Sequence, residues 1–246
     1  MGVVSKILEK KGRQAVSRIK DVFSAGPEKE PDYPLGLHQN AILRFDPTDF
    51  ILAAENFKIG LPSGDISVMA IGEFNCLGIS FHRAYLKDLN DEEWILQVAH
   101  TMAGPAQRDE PAPRRLAAAG KQELEVILFQ TIDEVYPDDW DLWLNEKTGL
   151  IGYKDFHTPD QVEYYRVFQN PGPDWASPIE FRECVRGCGE KFSINHAMML
   201  YSRGVQAAAG EELTEYLLVS REEDDEGVMV RIMAGMPVSP MSLTIL

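Results

Sequence analysis

Cysteine is scarce in this chain, and so is every local pattern that would mark a residue as catalytic. Three cysteines (Cys76, Cys184 and Cys188) in 246 residues are too few, and odd in number, for a disulfide framework. They point to reduced thiols in a reducing compartment. No apolar run approaches the roughly 18–20 residues of a membrane-spanning helix, and the N-terminus lacks the continuous apolar core of a signal peptide. The expectation is a cytoplasmic protein. There is no nucleophile elbow, His-Glu-x-x-His pair, dinucleotide fingerprint or kinase signature, and no calcium-loop spacing. Thr148-Gly-Leu-Ile-Gly152 has glycines but no Lys-Ser/Thr to follow them, so it is no phosphate loop. These absences remove the enzyme classes that motifs reveal, and no cofactor is implied.

What is present is a charge asymmetry. In residues 1–26, Lys6, Lys10, Lys11, Arg13, Arg18 and Lys20 face only Glu9 and Asp21, giving the segment +4. The chain carries −15, which leaves −19 on residues 27–246. Val4, Leu8, Ala15, Ile19 and Val22 fall on one stripe at helical spacing, with Lys6, Arg13 and Lys20 opposite, the pattern of a basic amphipathic helix. The helix either docks on its own domain or presents Leu8 and Ile19 with the six basic residues as a membrane- or partner-binding face. An acidic body repels a polyanion, so nucleic acid is excluded as the main ligand.

Gly26-Pro27 ends this helix, and residues 27–34 read as a charged, Pro-bearing linker. Residues 35–246 read as one acidic globular domain, interrupted by an aperiodic Ala/Pro-rich loop over 101–120. Short apolar runs predict strands at Ala41–Phe45, Phe50–Ala54, Ile66–Glu73, Leu77–Leu86, Trp94–His100, Val162–Phe168, Val228–Met233 and Leu243–Leu246. Ile194–Arg203 and Glu211–Leu218 look more helical, a helix starts at Ser177, and Glu123–Tyr136 fits either state. The expected class is α+β: a β-rich, mostly antiparallel single domain behind a basic amphipathic helix. Leu43, Phe45, Ile71, Phe81, Leu128, Phe129, Trp140, Trp143, Ile151, Val167 and Leu218 are expected to form one continuous core.

Candidate chemistry is thin. Cys184, Cys188 and His196 are too few for a structural zinc site, so no metal is expected. Asp133, Glu134, Asp138, Asp139 and Asp141 cluster around Pro137, where turns favour acids for local reasons. His157, Tyr164, Arg166 and Trp175 form the best candidate for a ligand pocket.

Several stretches carry a resemblance: Pro34-Leu-Gly-Leu37, Glu125-Val-Ile-Leu-Phe129, Trp140 to Trp143 running into Gly149-Leu-Ile-Gly152, Thr158-Pro-Asp160, Tyr164–Phe168, Met199-Leu-Tyr-Ser-Arg203 and Leu217-Leu-Val-Ser-Arg-Glu222. Their order resembles the YjfK-like bacterial proteins of unknown function. The resemblance implies context alone: a gene neighbourhood of phage-shock-type membrane-remodelling proteins and envelope stress. The resulting expectation is a non-enzymatic adaptor, cytoplasmic and peripheral on the inner membrane, with a protein partner of that type and an anionic lipid surface. The alternative is a small-molecule-binding protein or enzyme built on His157, Tyr164, Arg166 and Trp175.

Overall fold

The structure is a computed structural model that describes residues 32–53, 56–101, 124–138, 140–147, 149–187, 189–207 and 210–246. The helix expected over 1–26, most of the linker and nearly all of the 101–120 loop lie outside the described residues.

Alternating apolar residues between Gly, Asn and Asp turns make strands of most of the chain. They are β1 (Ile42–Phe45), β2 (Ile66–Cys76), β3 (Ile79–Lys87), β4 (Glu93–Thr101), β5 (Leu124–Val135) and β6 (Asp155–His157). β7 (Glu163–Arg166), β8 (Ile179–Gly187), β9 (Glu190–Gln206), β10 (Glu212–Asp224), β11 (Gly227–Pro237) and β12 (Leu243–Ile245) follow. Strands β2, β3, β4, β5, β11, β10, β9 and β8 pair in that order, and β8 returns to β2, so eight of the twelve strands among the described residues close a barrel. Closure rests on four pairs: Ala70↔Gly187, Ile71↔Arg186, Gly72↔Val185 and Glu73↔Cys184. All strand pairings are antiparallel.

Two strands outgrow the ring. β2 pairs with β1 at Ile66–Ser67 before turning to β8, and β9 leaves β8 after Met198 to pair with β7 at Tyr201–Ser202. The β1–β12 and β6–β7 ribbons therefore flank the barrel. Register shifts between Val68 and Ala70 and between Ile232 and Met233 supply the local bends that closure requires.

The expected α+β class is corrected: the described residues are mostly β and about 8% helical, with two short α-helices among them, α1 (Pro47–Ala53) and α2 (Asp141–Leu144). The helical expectations at Ser177, Ile194–Arg203 and Glu211–Leu218 fall on β8, β9 and β10. The reason is burial on both faces. Ala197, Met198, Met199 and Tyr201 are all buried, so the period-two signal that a half-exposed strand shows is erased. Conversely, of the run expected as a strand over Phe50–Ala54, residues 50–53 belong to α1, and Ala54 lies outside the described residues. Asp46 Oδ1 accepts from the Thr48 amide at 2.9 Å, and Pro47 opens the helix, a capping arrangement.

The core is three clusters rather than one. Ala70, Tyr85, Ile95, Phe129, Val185, Met198, Leu218 and Met233 pack inside the barrel. Ile71, Leu86, Trp94, Leu96 and Leu128 face outward and are covered by Tyr33, Leu37, Leu43, Phe45 and Phe50. Leu217, Val219 and Ile232 face outward on the other flank, beneath Ile151, Phe156 and Tyr164. Adjacent residues such as Leu128 and Phe129 thus enter different clusters because strand side chains alternate. Of the expected core set, Phe81, Trp140, Trp143 and Val167 are only half-buried.

Inside the barrel, Gly72 carries a specific constraint. A Cβ there would sit 1.8 Å from Glu183 Oε1. Gly72→Ala is expected to lose about 3 kcal/mol of unfolding free energy, because a packed charged group must shift. Gly60, where an added Cβ meets nothing within 4 Å, should change by less than about 0.5 kcal/mol. Chemical denaturation of both variants checks the pair.

Candidate functional site

The inward-facing positions of β3, β4, β8, β9, β10 and β11 do not carry apolar residues throughout. Arg83, Gln97, Glu183, His196, Ser220, Glu222 and Arg231 are all buried. Arg83 Nη1 lies 3.1 Å from Glu183 Oε2, and both side chains are 0% exposed. Arg83 Nε donates to Gln97 Oε1 at 2.9 Å, and its guanidinium stacks 4.7 Å from the Phe74 ring. β3 and β8 are not neighbours in the ring but flank β2, so this pair meets over the inner face of β2, beside Gly72. His196 Nε2 lies 2.9 Å from the same Glu183 oxygen, and its Nδ1 lies 3.1 Å from Ser220 Oγ. Phe181 stacks on the imidazole at 4.7 Å.

A second ionic group sits toward one end of the barrel. Arg231, 1% exposed, has Glu134 at 3.4 Å and Glu93 and Glu222 each at 3.7 Å. Burial works against its charge, but these three carboxylates outweigh it and raise the guanidinium above its usual value. Burial likewise pushes the Glu183 carboxyl up, while Arg83 and His196 pull harder and hold it below the ordinary range. Tyr85, fully buried beside Glu183, is kept a neutral phenol.

Ser220, His196 and Glu183 occur in the order of a hydrolytic triad. Such a nucleophile needs its oxygen open to substrate, and Ser220 is 0% exposed, with Phe181 over the imidazole and Arg83 on the carboxylate. The arrangement is an internal polar network that fixes how the strands close.

Of the residues expected to form a pocket, His157, Tyr164 and Arg166 separate onto two faces of β6 and β7, and Trp175 lies off both strands, bridged to Tyr153. Tyr164 is buried and donates to Glu215 Oε2 at 2.7 Å. Arg166 is buried, and its guanidinium donates to the carbonyls of Gly152, Phe168, Gln169 and Pro173 at 2.5–3.2 Å. It therefore clamps the segment that follows β7. Trp175 Nε1 donates to the Ile151 carbonyl at 3.2 Å. His157 points outward, opposite to the buried Tyr164 and Arg166. It borders a groove of about 310 Å³ lined by Lys147, Gly149, Leu150, Tyr153, Asp155 and Phe156.

Of the other candidates, Lys6, Leu8, Lys10, Lys11, Arg13, Arg18, Ile19 and Lys20 lie outside the described residues, as does Cys188. Cys184 is on the opposite face of β8 from Glu183, which meets His196. Glu134 proves to be a partner of Arg231. Arg83, Glu183 and Arg231 were not singled out from sequence. Their signal is a lone charge inside an apolar strand, as in Met229-Val-Arg231-Ile-Met233.

Fold and interior define this as an eight-stranded antiparallel barrel with an ionic core. Residues 115–244 match a family described as a protein of unknown function (DUF2491), and the chain belongs to it. The matched span holds Glu183, His196, Glu222 and Arg231 as well as the His157 face. No curated protein and no solved structure matches the chain. Among the described residues no helix is long and apolar enough to cross a membrane.

The depressed Glu183 carboxyl gives a pH prediction. Its contribution is present above the unfolded value near pH 4.3 and is lost as pH falls through the lower folded value. Glu183→Gln is expected to destabilise by about 3–5 kcal/mol near neutrality by leaving Arg83 buried without its counter-charge. The gap from the native chain should narrow below about pH 4. Denaturation midpoints measured across pH check both parts.

Proposed function

We propose that this protein is a non-enzymatic accessory protein that joins a basic partner to an anionic membrane surface. The observation that carries the reading is where the acidic charge collects. The β3–β4, β8–β9 and β10–β11 turns and the end of β5 share one end of the barrel, as antiparallel order requires. They bring Asp91 and Glu92, Glu190, Asp225 and Glu226, and Asp133 and Glu134 to that end. Lys87, paired to Asp91 at 2.9 Å, and Lys191 beside Glu190 stand at the same end, so its charge is an acidic excess, and such an excess steers and selects a basic partner. The +4 segment over residues 1–26 supplies the opposite affinity, for anionic lipid.

The resemblance to YjfK-like proteins supports a place for this pairing. It favours the cytoplasmic face of the inner membrane and a phage-shock-type membrane-remodelling partner. A second reading, small-molecule binding near His157, is favoured by the groove along Lys147, Tyr153 and Phe156.

Each basic residue near an anionic surface contributes about 1 kcal/mol, and the attraction decays over a Debye length of about 8 Å at physiological salt. Sedimentation with phosphatidylglycerol vesicles should therefore show binding that weakens with salt and vanishes when residues 1–26 are deleted. The thermal midpoint should stay nearly unchanged. Equal binding to phosphatidylcholine vesicles, or a large loss of stability on deletion, would contradict the membrane half of the proposal. For the partner half, D91N/E92Q/D225N/E226Q should reduce salt-sensitive capture of basic proteins from the native cell. Unchanged capture would contradict it.

A further inference from the structure

We propose that Asp155, His157 and Glu163 bind a divalent first-row transition-metal cation, with its open coordination positions facing the neighbouring groove. The inference is independent of the adaptor reading and concerns a different face of the molecule.

Strand geometry assembles the set. Asp155 and His157 are two apart on β6, so they share a face. Glu163 is the cross-strand partner of His157, and such partners stand side by side. The buried face of the same ribbon holds Phe156, Tyr164 and Arg166, packed or clamped as described above. The donors therefore project from a fixed support, as a metal site requires.

The spacing suits an ion. Two donors at about 2.1 Å from a common metal lie about 3.0 Å apart at a right angle and about 3.4 Å apart at the tetrahedral angle. His157 Nε2 lies 3.2 Å from Asp155 Oδ2 and 3.7 Å from Glu163 Oε1. One donor atom from each of the three residues fits within 4.8 Å of the others. Tyr165, opposite Asp155 in register, donates its hydroxyl to Glu163 Oε2 at 2.6 Å. That bond orients the carboxylate as outer-sphere partners do at metal sites. One imidazole with two carboxylates and no thiolate suits Zn²⁺, Fe²⁺, Co²⁺ or Mn²⁺, and disfavours Cu⁺ and iron–sulfur clusters.

The groove is the second observation, separate from the donor cluster. Asp155 and His157 both line its volume of about 310 Å³, along with Leu150, Tyr153, Phe156 and Lys147. Three protein donors leave one or more positions open. Here those positions adjoin a space of small-molecule size, with apolar walls and one ammonium, which suits a ligand that carries an anionic group.

The test uses the full untagged chain, stripped with chelator and titrated calorimetrically with Zn²⁺ and separately with Mn²⁺. One saturable site per chain is expected, with affinity reduced more than ten-fold in D155N, H157A and E163Q. Y165F should weaken binding about ten-fold, the lower range for an outer-sphere partner. The three donors are half-exposed or exposed, so the metal-free variants should keep the native thermal midpoint. As a second readout, Mn²⁺ should broaden the imidazole NMR signals of His157 and spare those of the buried His196. The absence of saturable binding at millimolar metal would overturn the proposal and leave His157 as an ion-pair partner of the two carboxylates. Binding that survives H157A unchanged would overturn it equally.

Discussion

A buried carboxylate holds this barrel together. Glu183 sits fully buried between Arg83 and His196, and an isolated charge in that position would cost several kcal/mol. Its compensation comes from β3 on one side and β9 on the other, with β8 itself between β2 and β9. The strand that closes the ring is thereby tied by charge to its neighbour β9 and, past β2, to β3. Gly72, opposite on β2, is bare because the carboxylate occupies the volume a side chain would fill. Four backbone pairs would be a thin seam; the ion pair makes it specific.

The same inversion explains the exterior. With ions and aromatics filling the interior, the outward faces of the barrel strands carry much of the apolar area and must be covered. The segment from Tyr33 to Ile59 covers one flank, and the segment from Ile151 to Ala176 covers the other. That second cover is pinned by Arg166 and Tyr164, which frees the opposite side of its β6–β7 ribbon for solvent-facing groups. Asp155, His157 and Glu163 are those groups. The site is exposed because its support is not.

Much of the strand content was legible, and the closure was not. The β2–β3 hairpin could be read from Asn75 and Gly78 between two apolar runs, because one face of each strand alternates cleanly enough. β9 could not, since Ala197, Met198, Met199 and Tyr201 are buried on both faces and imitate a helix. Ring order depends on which strand β8 meets, and no local signal in Ile179–Gly187 specifies β2. His157 was visible as a candidate pocket residue. Its partners Asp155 and Glu163 became visible only when the β6–β7 register set them beside it. Arg83, Glu183 and Arg231 looked like ordinary solvated charges, and the apolar residues flanking them were the overlooked clue.

The central claim is that Arg83 and Glu183 act as one unit over the inner face of β2. A double-mutant cycle with Arg83→Met, Glu183→Met and the combined variant tests it most directly, using unfolding free energies near neutral pH. The account predicts that each single variant loses about 3–5 kcal/mol by stranding its partner, and that the double variant regains at least about 2 kcal/mol of the summed loss. Losses that add to within about 0.5 kcal/mol would contradict it, because the two charges would then be stabilised independently.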